Sequence, residues 1–146
     1  MIQKYKIPAI LLSFLFILIA IYTNSTSRHW IYYKMVEMIV PNKIKNVAID
    51  SSLSYQNYIV LDARSKDEYA ISHIRNAVWI GDDSLVIERA SFEIGKREPR
   101  YLIYCSIGYR SQLIGQQLKD SLGFSIENLE GGIFGWNQQG LPLVDS

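Results

Sequence analysis

The chain has 146 residues, enough for one small domain plus an appendage. Its formal charge is +1 and no dense Lys/Arg block stands out, which argues against nucleic acid as a main partner. A single cysteine excludes an internal disulfide scaffold, and with only two histidines, far apart and without ligand spacing, it argues against a zinc site.

The first segment, "MIQKYKIPAILLSFLFILIAIYTNSTSRHW", opens with Lys4 and Lys6 and runs almost unbroken through apolar residues from Ile7 to Tyr22. No polar face interrupts the run, so it reads as a signal anchor rather than a buried core helix. It is slightly short for an upright span of about 20 residues, and Tyr5 and Tyr22 at the interfaces would extend it. No A-x-A cleavage site follows, and Lys4, Lys6 and the terminal amine favour an inside N-terminus, although Arg28 and Lys34 lie on the other side. The expectation is an uncleaved anchor over residues 1–27, membrane contact through residues 7–22, and a soluble domain on the exported side, periplasmic or extracellular.

Residues 28–45 read as a connector, in which "WIYYKMVEMIV" has the composition of an amphipathic helix and Pro41 ends it. From Asn46 to the C-terminus the pattern is that of a domain. "YIVLDA", Tyr58 to Ala63, is a short β-branched apolar run and predicts a buried strand. "SKDE", Ser65 to Glu68, has capping-box spacing and starts a short helix. "AVWI", Ala77 to Ile80, predicts a second strand, and helix-like "SLVIERASFEI" follows, closed by Gly95. "YLIYC", Tyr101 to Cys105, is a third strand. "RSQLIGQQLKDSLG" then sets Leu113, Ile114, Leu118 and Leu122 on one helical face, closed by Gly123. "SIENL" is a fourth strand. Strands alternating with helices imply an α/β fold, with parallel pairing and helices covering the sheet.

This pattern places Cys105 at the carboxyl end of a central strand, before a loop that opens into a helix. Ligands bind at that edge of open α/β sheets. In "CSIGYR", Gly108 lets the backbone curl so that N–H groups point inwards, and a ring of N–H groups backed by a helix N-terminus attracts anions. A thiolate is an anion, so the same field favours the nucleophilic form of the cysteine. Arg110 adds a fixed positive charge and a planar fork of donors for an oxyanion. A lone cysteine ending a buried strand is ordinarily a small hydrophobe. Packing does not explain Gly at the third position after it and Arg at the fifth, so the functional reading prevails.

Three motifs in order resemble the rhodanese family. "VLDARSKDEYAISHIRNAVWI", Val60 to Ile80, resembles its first signature; "YCSIGYRS" resembles its active-site loop; "LEGGIFGW", Leu129 to Trp136, resembles its C-terminal Gly-Gly-x-x-x-Trp turn. Together they cover residues 46–146. The resemblance implies a five-stranded parallel sheet flanked by helices, preceded here by the N-terminal hydrophobic helix, with no room for a second repeat. It also implies a sulfurtransferase that moves a sulfane sulfur from a small anionic donor such as thiosulfate to a thiol or cyanide-like acceptor through a Cys105 persulfide, with no metal or organic cofactor. Cys105 is then catalytic, and Ser106, Ile107, Gly108, Tyr109, Arg110 and Ser111 bind substrate. Asp62, Arg64 and Glu68 are supporting residues, Arg64 pairing with Glu68 to hold the following turn. His73 is structural, and Trp136 packs over the core. Four residues separate Cys105 from Arg110, as in sulfur-transferring rhodaneses; the related cysteine phosphatases carry one more. Ser72 and Asn76 stand where the family often has glycine. Ser106 and Ile107 bring less positive charge to the loop than is usual in the family. The alternatives are a membrane-tethered, non-catalytic binding or sensing module, against which the intact Cys, Gly and Arg argue, and a cysteine phosphatase or arsenate reductase. Nothing in the residues points to a particular protein partner.

Overall fold

A computed structural model describes residues 9–49, 58–83, 86, 88, 89 and 100–145. The chain divides into two compact units, Met1–Met35 and Val36–Ser146. In the first, helix α1 spans Ala9–Thr23, and its large apolar side chains from Leu11 to Ile21 are exposed. Helix α2, Ser25–Ile39, begins five residues before the "WIYYKMVEMIV" pattern. The cause is Asn24, whose Oδ1 accepts the Ser27 amide at 3.2 Å, an N-terminal cap. The helix stops before Pro41, as expected. Among the described residues no single helix is long and apolar enough to cross a membrane; α1 and α2 meet that length and composition only as a pair bent by 85°.

The second unit begins at Val36. Val36 and Ile44 are both buried, and the segment ahead of the first strand is tied down by the Gln112 side chain, as detailed below. Five strands form one sheet: β1 (Asn46–Val47), β2 (Tyr58–Asp62), β3 (Val78–Trp79), β4 (Arg100–Tyr104) and β5 (Ile126–Leu129), in the order β1-β5-β4-β2-β3. Among the described residues every strand pairing in this sheet is parallel. The helices bounded among the described residues of this unit are α3 (Lys66–Ile71), α4 (Tyr109–Leu122) and α5 (Gly132–Gln138). The helix expected over "SLVIERASFEI" lies mostly outside the described residues; Val86, Glu88 and Arg89 within it are helical.

The period of two along a strand sorts the core into two layers. Leu61, Ala63, Tyr101 and Ile103 face one way and pack with Ile44 and with Ile114 and Leu118 of α4. Val60, Leu102 and Tyr104 face the other way and pack with Ile74, Ala77 and Ile133 and Trp136 of α5. Trp136 is buried, as expected, and its indole N–H donates to the Pro142 carbonyl at 3.0 Å. The departures from glycine are absorbed locally. Asn76 takes φ 62°, a left-handed angle that asparagine tolerates, and Ser72 is extended at the C-terminus of α3. His73 stacks on Tyr69 at 4.0 Å and pairs with Val144 through the backbone, a structural position.

Candidate active site

Strand β4 is central in the sheet, and Cys105 follows it directly. The residue is 1% exposed. Its Sγ accepts the Gly108 amide at 3.2 Å. Gly108 sits at φ 103°, where a β-carbon is disfavoured, and this turns the chain tightly into α4. The chain therefore wraps a backbone donor onto its own sulfur and starts a helix of four turns immediately behind it.

The loop's carbonyls are drawn the other way. Cys105 O accepts the Ile133 amide at 2.9 Å and Ser106 O accepts the Phe134 amide at 3.1 Å, both from the first turn of α5. These bonds require close approach. A Cβ on Gly132 would lie 2.4 Å from Cys105 O and 2.7 Å from Ser106 O. Gly132 of "LEGGIFGW" thus serves the cysteine loop. With the carbonyls occupied by α5, the Gly108 N–H is the loop donor that meets the sulfur.

Arg110 holds the loop from the solvent side. Its Nη1 donates to Glu68 Oε2 at 2.8 Å and to Asp82 Oδ2 at 2.7 Å; its Nη2 donates to Glu68 Oε1 at 2.8 Å and to Ser106 Oγ at 2.9 Å. Ser106 Oγ in turn donates to Glu68 Oε1 at 2.9 Å. Glu68 also closes the capping box of α3, accepting from the Ser65 amide at 3.1 Å and hydroxyl at 3.0 Å. Its carboxyl is held well below the usual carboxylate range by Arg110 first, then by Ser106 and Ser65, against the opposing effect of burial. The Arg110 guanidinium is raised above its ordinary value, by Glu68 first.

Two expectations about these side chains are corrected. The Arg110 fork is not open to an oxyanion: two carboxylates and a hydroxyl occupy it. Arg64 does not pair with Glu68. Its Nε and Nη2 bind Asp62, with the shortest contact at 2.6 Å, and Nη2 also donates to Ser72 O at 2.6 Å. Alternation along the strand puts Asp62 and Arg64 on one side, two residues apart, whereas Glu68 has turned away into α3. The Asp62 carboxylate further accepts the Tyr104 hydroxyl, and Tyr104 accepts the Ile74 amide at 3.2 Å. Burial, followed by Asp62, pushes the Tyr104 hydroxyl up.

Ser111 is fully buried and its hydroxyl donates to Asn128 Oδ1 at 2.6 Å, so its side chain faces the interior rather than a ligand. Ile107 lines a cavity of ≈ 210 Å³ with Val36, Val40 and Asn128. Tyr109 is exposed beside the loop. Sequence reasoning missed three contributors. Asp82 carries no motif. Gln112 accepts the Lys43 and Ile44 amides at 2.7 Å each and donates to Ile44 O and Asn46 Oδ1. Asn128 links Ser111 to Asn46. Among the described residues no three His, Cys, Asp or Glu side chains cluster as a metal site.

Cys105, Arg110, Glu68 and Asp82 fall within a matched segment: residues 48–139 fit the family described as Rhodanese-like domain. A rhodanese-related protein from Thermoplasma volcanium is 28% identical, with a TM-score of 0.58 over 70% of this chain and 99% of that one. The fold is shared with a thiosulfate sulfurtransferase from Pseudomonas aeruginosa at 24% identity and a TM-score of 0.58, over 78% of this chain but only 22% of that one. It is also shared with a polysulfide-sulfur transferase homodimer from Wolinella succinogenes at 20% identity and a TM-score of 0.58, over 78% of this chain and 85% of that one.

Proposed function

The chain belongs to the rhodanese-like domain family, and on that premise we propose that it is a sulfurtransferase working through a persulfide on Cys105. The thiolate attacks the outer sulfur of a sulfane-sulfur donor, of the thiosulfate or persulfide type, and an acceptor nucleophile such as a thiol or cyanide then removes that sulfur. The observation that carries this reading is the Gly108 N–H on Cys105 Sγ, in a loop whose carbonyls are turned away by α5. Such an arrangement stabilises negative charge on the sulfur before attack and on the persulfide afterwards.

The test is to incubate the protein with thiosulfate in one arm and cysteine persulfide in another, remove the donor, and weigh the protein intact. Wild type should gain one sulfur atom that cyanide removes as thiocyanate. Cys105→Ser should gain none while keeping its circular dichroism, because a hydroxyl without a base is a far weaker nucleophile. A fully folded wild type that gains no sulfur from either donor would favour a non-catalytic binding module.

We also propose that the N-terminal segment attaches the protein to a membrane and that the catalytic unit lies on the exported side. The exposed apolar side chains of α1, from Leu11 to Ile21, support attachment. Lys4 and Lys6 support the orientation. Cell fractionation with and without residues 1–27 tests attachment, and protease access in spheroplasts tests the side. Recovery of the full chain in the soluble fraction would refute both.

A further inference from the structure

Two polar side chains interrupt the apolar layer beneath α4. Ile126 of β5 belongs to that layer, and strand alternation turns Asn128 the same way. Asn128 and Ser111, the latter on the first turn of α4, are both buried. The Ser111 hydroxyl donates to Asn128 Oδ1 at 2.6 Å, and Asn128 Nδ2 donates to Asn46 Oδ1 at 2.8 Å. Asn46 Oδ1 also accepts Gln112 Nε2 at 2.6 Å. One turn of helix is therefore tied to β5 and β1 at two successive residues. Leucine and alanine in place of Asn128 and Ser111 would fill the layer at little cost in stability, because removing both partners of a buried bond leaves neither unpaired. What apolar side chains would not supply is direction, since a hydrogen bond fixes distance and angle together.

That direction bears on the thiol. Gly108 is the residue from which α4 starts, and its N–H donates to Cys105 Sγ at 3.2 Å. The Gln112 amide donates back to Gly108 O at 3.2 Å, which couples Gly108 to the first turn. Asn128 also meets Gly108 directly: its Nδ2 lies 3.2 Å from where a Cβ on that glycine would be. On its other side Asn128 stands in register with Ile103 of β4, two residues ahead of Cys105. It thus neighbours both the strand that leads to the sulfur and the turn that carries its donor. We propose that Asn128 is a positioning residue for Cys105, acting through Ser111 to keep the Gly108 N–H on the sulfur. Ser111, expected from the sequence to bind substrate, serves the thiol from behind the loop instead. The consequence for sulfur transfer rests on the sulfurtransferase reading above; the consequence for thiol reactivity does not.

The experiment compares wild type with Ser111→Ala, Asn128→Leu and the double variant, each as the full chain in detergent. The readouts are the denaturation midpoint, hydrogen exchange at the Gly108 amide, alkylation of Cys105 by iodoacetamide, and sulfur loading from thiosulfate. Each single variant leaves a buried polar group unpaired and should unfold earlier. The double variant should recover most of that loss, since Asn46 Oδ1 keeps its Gln112 bond. Reactivity should not recover with it. In all three variants Gly108 should exchange faster, and alkylation and loading should slow by about threefold to tenfold. Outright loss of a preorganised donor costs about a hundredfold, and here the donor is only misaligned. A folded double variant alkylated at the wild-type rate overturns the proposal and leaves the pair a packing feature. Slower alkylation with Gly108 exchange unchanged overturns it too, because the effect then bypasses the donor. Should the leucine variants not fold, Ser111→Ala decides alone, since it keeps the Asn128–Asn46 bond. Wild type that is alkylated but takes no sulfur overturns the sulfurtransferase reading, and the positioning role is then judged on alkylation and exchange.

Discussion

Gly132 lies so close to Cys105 that a single added carbon would sit 2.4 Å from the cysteine carbonyl oxygen. Real β-carbons do not approach a backbone oxygen that closely, so either the loop or α5 must move. The glycine is also at φ 58°, where a side chain is strained. Gly123 provides the control, with φ 71° but nothing within 4 Å of its would-be Cβ.

Gly132→Ala should therefore cost more than Gly123→Ala. The control should lose about 1 kcal/mol from backbone strain alone. Gly132→Ala should lose roughly twice that or more and should slow persulfide loading, because the displaced carbonyls belong to Cys105 and Ser106. Chemical denaturation of both variants, with loading rates on each, makes the comparison. Equal stability loss and equal loading would show that α5 does not hold the loop.

Glu68 makes the loop sensitive to acid. Its folded carboxyl titrates below the ordinary value near 4.3, so the stability it contributes is fully present above that value and is lost as pH falls towards the folded value. The pair with Arg110 is about one-third exposed, so its contribution is modest, about 1 kcal/mol or less. Glu68→Gln should be less stable than wild type at pH 7, and the gap should close as pH is lowered from about 4.3. A gap that persists at the acid end would assign the effect of the substitution to something other than ionisation.

Gln112 supports the segment before β1 with two accepted and two donated bonds. Gln112→Leu keeps the volume and strands the Lys43 and Ile44 amides. We expect a loss of about 2–4 kcal/mol, at roughly 1–3 kcal/mol for each buried unpaired group. Denaturant melts would show it, together with faster hydrogen exchange at Lys43 and Ile44. An unchanged midpoint would mean those amides find water.

Tyr101 tests the opposite sign. Its hydroxyl is buried, meets no hydrogen-bond partner among the described residues and is pushed up by that burial. Tyr101→Phe removes a polar group that gains nothing from the interior. Stability should stay level or rise by up to about 1 kcal/mol, and a clear fall in melting temperature would reveal a partner for the hydroxyl.

Loop length should exclude phosphoryl transfer. Four residues separate Cys105 from Arg110, and a ring this tight suits one terminal sulfur better than a tetrahedral group with three oxygens. Wild type should not hydrolyse an aryl phosphate while it loads sulfur. A variant with one glycine inserted after Ile107 should lose sulfur loading without affecting melting by more than a few degrees. Faster phosphate hydrolysis than sulfur loading in wild type would replace the sulfurtransferase assignment.

The parts of this site that were legible in sequence are those built over a few residues. The capping box at Ser65 and Glu68, the turn at Gly108 and the strand leading to Cys105 all follow from local spacing. The partner of Arg64 is Asp62 because strand alternation puts the two on one side, while Glu68 turns away into α3. Long-range partnerships left no local trace. Arg110 meets Glu68 across 42 positions and Gln112 meets Ile44 across 68, and only folding brings them together. Strand β1 leaves no trace of its own either, because two residues cannot display a period of two.

The bonds from α5 to the carbonyls of Cys105 and Ser106 also set a schedule. Among the described residues the strands of the sheet pair in parallel, so each pairing joins segments distant in sequence. During synthesis Cys105 emerges first, and Ile133 and Phe134 follow more than two dozen residues later. At about 5–20 residues per second, and with the tunnel still to clear, the thiol waits seconds before the backbone that shapes its surroundings reaches it. A nascent chain halted before Phe134 carries Cys105 without its finished loop, so the surroundings of the thiol are completed late in the making of the protein.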